Sequence, residues 1–136
     1  MDTNDKQFSL RIITPDRIFY EGKAEMVEFN TTEGEVGVYK QHIPMTVVIK
    51  PGILTITEDQ ETTKEAALHE GFATIMHDEV TIMAEIIEWP AEIDLDRAEA
   101  AKGRAMERIE KQDGATDIAR AQTALQRAIC RIEAVR

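Results

Sequence analysis

Thr32-Glu33-Gly34-Glu35-Val36-Gly37-Val38-Tyr39-Lys40-Gln41-His42-Ile43-Pro44, followed by Lys50-Pro51-Gly52-Ile53-Leu54, sets two tight turns inside strand-like sequence. Outward from this stretch, between Phe8 and about Ile87, apolar and polar residues alternate in short runs such as Phe8-Ser9-Leu10-Arg11-Ile12 and Leu54-Thr55-Ile56-Thr57. That two-residue period belongs to half-buried strands. Breaks fall at Thr14-Pro15-Asp16, Glu21-Gly22, Glu33-Gly34, Lys50-Pro51-Gly52, Glu58-Asp59-Gln60, Glu70-Gly71 and His77-Asp78-Glu79, close to the spacing of about 8–12 residues seen in antiparallel sandwiches and barrels. The pattern predicts an all-β sandwich over residues 1–90. Its expected core is Phe8, Leu10, Ile12, Val27, Phe29, Val36, Val38, Val48, Leu54, Ile56, Phe72, Ile75, Val80 and Ile82.

After Trp89-Pro90 the apolar period becomes helical, predicting a C-terminal α-helical hairpin over residues 91–136. Pro90 ends the last strand, Asp94 can cap a helix that begins at Leu95, and Asp96 lies near the positive end of its dipole. Gly114, after Asp113, permits the left-handed turn that ends helices. A second helix is expected near Thr116 to Ala134.

The hairpin contains a repeat at an offset of 23 residues: Arg97–Glu110 aligns with Arg120–Glu133 with 8 of 14 positions identical. Each copy has arginines at i, i+7 and i+11, which cluster on one helix face at about 100° per residue. The opposite faces are expected to be Leu95, Ala98, Ala105, Met106 and Ile109 in the first helix, and Ile118, Ala121, Leu125, Ile129 and Ile132 in the second. Arg97, Arg104, Arg108, Arg120, Arg127 and Arg131 are six of the nine arginines in the chain. Guanidinium forks suit phosphate; a solvated face paired with Glu107 and Glu110 is the plainer reading. An alanine-rich seam buries little area, so the hairpin should be loosely held.

No apolar run approaches the roughly 20 residues of a membrane span, and Met1-Asp2-Thr3-Asn4-Asp5 lacks the cationic and apolar parts of a signal peptide. Such a chain stays in the cytosol unless a partner carries it to a membrane. The net charge of −10 lies in the first two thirds, where residues through Pro90 have 7 Lys and Arg against 17 Asp and Glu, while residues 91–136 have 9 of each. An acidic face repels nucleic acid and suits a basic protein partner, or merely keeps the chain soluble. Cys130 is the sole cysteine and reads as a small apolar helix residue. His42, His69 and His77 lack the spacing of a helical metal pair, and no phosphate loop, serine elbow or triad is present.

The Gly34-Glu35-Val36-Gly37 turn, the His42-Ile43-Pro44 corner and the Pro51-Gly52 turn resemble the N-terminal domain of the epsilon subunit of the rotary ATP synthase. The likeness continues through Gly71-Phe72 and Val80-Thr81-Ile82-Met83-Ala84 into Ile93-Asp94-Leu95-Asp96-Arg97-Ala98, covering nearly the whole chain in order. Two positions depart from the family pattern: Lys40-Gln41 stands for its usual Pro-Gly, and Glu70 for the first glycine of a Gly-Gly pair.

The resemblance implies a non-catalytic subunit that links the gamma subunit to the rotor ring of c subunits, peripheral to a bacterial cell membrane on its cytoplasmic side. It implies ring contact through Glu35, Tyr39 and His42. Ile93-Asp94-x-x-Arg97-Ala98 matches the motif of ATP-binding epsilon subunits, which adds Glu88 upstream and Arg104, Arg120, Arg127 and Arg131 on the phosphate side, while Arg108 receives no role. ATP, with or without magnesium, would be a regulatory ligand, and the extended hairpin would reach the alpha and beta subunits to oppose hydrolysis. The alternatives are a purely structural rotor coupler, whose hairpin neither binds ATP nor inhibits, and an unrelated β-sandwich adaptor with a helical tail.

Overall fold

The computed structural model describes residues 6–111 and 117–136. Ten strands fill the first two thirds: β1 (Phe8–Ile13), β2 (Ile18–Ala24), β3 (Met26–Thr31), β4 (Gly34–Tyr39), β5 (Met45–Ile49), β6 (Gly52–Thr57), β7 (Thr63–Leu68), β8 (Gly71–Ile75), β9 (Glu79–Ala84) and the two-residue β10 (Ile87–Glu88). They hydrogen-bond in the order β10-β7-β6-β3-β5-β8-β9-β1-β2, with β4 on β3. Neighbours are antiparallel except β1 and β9, which run parallel with Leu10 opposite Val80 and Ile12 opposite Ile82. The sheet folds over at β3, whose first half pairs with β6 and whose last residue, Thr31, pairs with Ile49 of β5. The facing layers enclose one core to which Phe8, Leu10, Ile12, Phe29, Leu54, Ile56, Ile75 and Ile82 contribute fully buried side chains.

Alternation follows directly from the pleat. In β1 the buried positions are Phe8, Leu10 and Ile12, and in β9 they are Val80, Ile82 and Ala84. Three expected core residues differ. Val36 is only partly buried against the core, while Val48 and Phe72 are 57% and 43% exposed. Val48 lies opposite Phe72 on β5 and β8, so the pair shares the outer face, whereas Ile49, Ala73 and Ile75 point inward. Phe72 and Ile75 are three apart on one strand and cannot face the same side. Glu21-Gly22, expected as a turn, lies inside β2. A Cβ at Gly22 would come within 3.0 Å of the Tyr20 hydroxyl oxygen, so the glycine makes room for a neighbouring ring rather than for a bend.

The turns carry their own chemistry. Gly34 closes the β3–β4 hairpin at φ 116°, a region that L side chains avoid. Gln41 is the sole non-glycine at positive φ among the described residues, at 67°, and its N–H donates to His77 O at 2.7 Å. Gly71 answers a close approach, since a Cβ there would lie 2.2 Å from Met83 O.

Past β10, Pro90–Glu92 makes one 3-10 turn, and two helices follow: α1 (Leu95–Lys111) and α2 (Ile118–Val135). Asp94 Oδ1 accepts from Arg97 N–H and Asp117 Oδ1 from Arg120 N–H, each at 3.1 Å, so the repeat includes its helix caps. The expected helix end at Asp113-Gly114 and start at Thr116 lie outside the described residues, as does the polar stretch Met1–Asp5. α2 rests on β6 and β7, and α1 packs mainly on α2. Ala67 shows the effect: Ala66 and Leu68 point into the core, yet Ala67 on the reverse face is equally buried because that side faces α2. Between the helices the buried residues are small, Ala98 and Ala105 on α1 and Ala121 and Ala128 on α2. Met106, expected in this seam, is 51% exposed. It lies about 100° around the helix from Ala105.

Gly71→Ala should destabilise the sandwich by about 1–3 kcal/mol, because backbone must move to admit the methyl. Val48→Thr, on the outer face, should stay within about 0.5 kcal/mol. Urea unfolding of both variants measures the contrast.

Candidate functional site

The junction between sandwich and hairpin is pinned from both sides. Trp89 stacks on Phe19 with ring centroids 4.2 Å apart and planes inclined by 22°. The Arg17 guanidinium lies 5.1 Å from the Phe19 ring centre and donates to both Glu92 carboxylate oxygens at 2.8 and 2.9 Å. Glu92 in turn accepts from Trp89 N–H at 2.9 Å. Arg17 therefore holds the Glu92 carboxyl below its usual range.

Beyond this clasp a hollow of about 390 Å³ opens among Glu88, Glu92, Ile93, Asp94, Arg97, Ala98, Ala101, Arg104 and Arg131. Seven of the nine residues singled out from the sequence for nucleotide lie here. Glu88 ends β10, Ile93 follows the 3-10 turn, Asp94 caps α1, Arg97 and Ala98 come from the first turn of α1, and Arg104 comes from its middle. Arg131 reaches in from α2. The other two, Arg120 and Arg127, line a neighbouring hollow with Arg108, Asp117 and Thr123. Arg104 and Arg108 are one turn apart on α1, as are Arg127 and Arg131 on α2, so the hollows follow one another along the hairpin at about 6 Å intervals. Arg108, for which no part was expected, belongs to this arginine series; its place in the internal repeat was the available signal.

Two of these arginines also tie α2 to the sandwich. Arg131 Nε donates to Glu88 Oε1 at 2.7 Å, and the same oxygen accepts from His69 Nε2 at 3.2 Å. His69 is fully buried at the end of β7, and its Nδ1 has no hydrogen-bond partner among the described residues. Sequence spacing gave no hint of this, because the imidazole is joined to Glu88 only by the β7–β10 pairing of Ile87 with Leu68. The His69 hydrogen bond, helped by Arg131 against the cost of burial, lowers the Glu88 pKa. One turn away, Arg127 donates to Glu70 through Nε at 3.0 Å and Nη2 at 2.9 Å. Cys130 is buried between them and donates its thiol hydrogen to Gly52 O at 3.1 Å; burial pushes its pKa up to about 11.

The residues considered for ring contact do not form one cluster. Glu35 and Tyr39 are at opposite ends of β4, opposite Asn30 and Met26, about 13 Å apart along the strand. Glu35 borders a hollow beneath α2 with Lys50, Gln126 and Glu133. Tyr39 and His42 belong to the other end, where Ile43, Met45 and Met76 are also exposed.

Comparison with known proteins gives this geometry a family. The model of the ATP synthase delta/epsilon chain β-sandwich domain matches residues 7–90, and that of the delta/epsilon chain long α-helix domain matches residues 91–136. The chain belongs to the ATP synthase delta/epsilon family. Proteins named ATP synthase epsilon chain are 42% identical in Caldanaerobacter subterraneus subsp. tengcongensis, covering 95% of this chain and 94% of that one, and 43% identical in Clostridium novyi, covering 96% and 98%. A chain in the Euglena gracilis mitochondrial ATP synthase structure, OSCP/F1/c-ring, shares the fold with TM-score 0.84 at 22% identity, over 96% of this chain and 82% of that one. A delta/epsilon chain is a non-catalytic subunit, and the described residues include no helix long and apolar enough to cross a membrane.

In this delta/epsilon chain the lowered pKa of Glu88 makes its contribution to stability depend on pH. The contact is fully present above the unfolded carboxyl value of about 4.3 and is lost as pH falls through the lower folded value. Glu88→Gln should therefore be less stable than the parent near neutral pH, with the gap closing below about pH 4. Urea midpoints across the pH range test this.

Proposed function

We propose that this chain is the epsilon-type rotor subunit of a bacterial proton- or sodium-translocating ATP synthase, acting in the central stalk, and that its hairpin binds ATP and restrains ATP hydrolysis. Its labour divides after Pro90. The sandwich joins a gamma subunit to the membrane ring of c subunits, keeping the chain peripheral on the cytoplasmic side of the cell membrane. The hairpin either lies compact on the sandwich or extends toward the alpha and beta subunits.

The observation carrying the nucleotide reading is the meeting of Glu88, Ile93, Asp94, Arg97, Ala98, Arg104 and Arg131 around one hollow, whose volume falls within the roughly 300–1,000 Å³ of small-ligand sites. Glu88, Ile93, Asp94 and Ala98 supply the carboxylate and apolar groups that fit a base and ribose, and the arginines of both helices supply guanidinium groups that fit phosphates. ATP held there favours the compact form in proportion to its differential affinity for that form. For the protein contacts, the exposed apolar residues Tyr39, Ile43, Met45 and Met76 support a ring-facing end, with His42 beside them, and the outward Val48–Phe72 pair supports a side for gamma.

A purely structural coupler has one observation in its favour: Arg127 and Arg131 already hold carboxylates of the sandwich. Calorimetry separates the readings. The full chain should bind ATP more tightly than GTP, and Asp94→Ala or Arg97→Ala should weaken ATP at least about tenfold, the loss of one charged hydrogen bond. No heat and no thermal shift at millimolar ATP would leave the coupler.

Removing Leu95–Arg136 from a reconstituted complex should leave assembly intact and raise hydrolysis at low ATP. Unchanged hydrolysis at every ATP concentration would show that the hairpin does not inhibit. A chain ending at Ala91 should remain folded and bind gamma, which gel filtration with gamma checks.

A further inference from the structure

Glu70 is held at the β7–β8 turn by main-chain constraints. Its carbonyl accepts from Glu85 N–H at 2.9 Å, and the following Gly71 is pressed against Met83. From this fixed base the carboxylate meets Arg127 with a two-point fork, Nε to Oε1 and Nη2 to Oε2. Both side chains are about two-thirds buried, at 29% and 33% exposure, and the Glu70 hydrogen bond raises the pKa of Arg127. The Nε–Nη2 edge is the one that grips a planar pair of anionic oxygens, whether of carboxylate or of phosphate. Arg127 also lines the hollow of Arg108 and Arg120, so one guanidinium faces two claims.

We propose that Glu70 is an internal competitor for the phosphate end of the nucleotide site: its carboxylate occupies Arg127 in the empty hairpin and must yield that edge when ATP binds. This rests on the reading that the hairpin holds ATP. It makes Glu70, which lines neither of the two arginine hollows, a determinant of nucleotide affinity. The seat of α2 does not depend on the pair alone, because the buried Cys130 thiol still meets Gly52 O and Arg131 keeps Glu88. Loss of the Glu70 charge therefore loosens α2 slightly and frees Arg127, and the second effect dominates affinity.

The test uses the full chain and its Glu70→Gln variant, which keeps side-chain size and removes the charge. Calorimetry with ATP should show about two- to fivefold tighter binding by the variant, the scale of a partly exposed ion pair. Without nucleotide, amide exchange in α2 should quicken while β1 and β9 stay unchanged. In an Arg127→Ala background the gain should vanish. ATP binding by the parent with no gain in Glu70→Gln, unchanged exchange in α2, or a gain that persists without Arg127 would each overturn the competition alone. ATP binding by neither chain would overturn it together with the nucleotide reading.

Discussion

One carboxylate oxygen, Glu88 Oε1, receives a buried imidazole from the sandwich and a guanidinium from the last helix. Strand, core and hairpin meet at that atom. β10 is only two residues long and would have little reason to persist as a strand without it; its pairing with β7 brings Glu88 to His69, and Arg131 then fixes where α2 can lie. The neighbouring hollow inherits its shape from this arrangement, because Ile93 and Asp94 emerge directly from the short turn that β10 feeds. Charge at Glu88 thus supports the fold and at the same time sets the electrostatics of the site beside it.

The two helices are unequal in what they hold. α2 is bonded to the sandwich through Arg127, Cys130 and Arg131 and covers the reverse side of β6 and β7. α1 depends mainly on α2, across a seam of alanines that bury little area each. Their only described side-chain ion pair, Arg136 with Glu99, is exposed and worth little in water. Identical caps at Asp94 and Asp117 start each helix locally, so the helices can form without demanding a strong interface between them. α1 therefore reaches the sandwich chiefly by way of α2, which lies against β6 and β7.

Much of this was legible in sequence because it depends on local rules. Alternation in Phe8-Ser9-Leu10-Arg11-Ile12, the break at Lys50-Pro51-Gly52 and the change of period after Pro90 all act within a few residues. Face assignment failed where two apolar residues were adjacent: Val47 and Val48 are chemically alike, and only pairing with Phe72 and Ala73 decides which points inward. The meeting of Glu88, Asp94, Arg97, Arg104 and Arg131 around one hollow could be anticipated from the resemblance, which gave Asp94 and Arg97 as its motif, Glu88 as the upstream carboxylate and Arg104 and Arg131 as phosphate-side arginines. His69 could not. Its role arises from a pairing across 19 residues, and the Glu70–Arg127 pair spans 57. Interactions of that range leave no period to read. Glu35 and Tyr39 differ from these, since both stand on β4 and strand rise alone sets them apart.

Trp89 is the only tryptophan in the chain, and it sits between the last strand and the hollow, stacked on Phe19 and bonded through its amide to Glu92. The indole is thus one residue from Glu88 and four from Ile93. Any rearrangement that frees the hairpin from this junction must change the polarity and rigidity around that ring. Tryptophan fluorescence of this chain, excited beyond the absorption of Tyr20 and Tyr39, therefore reports a single place, the joint itself, with no second indole to subtract.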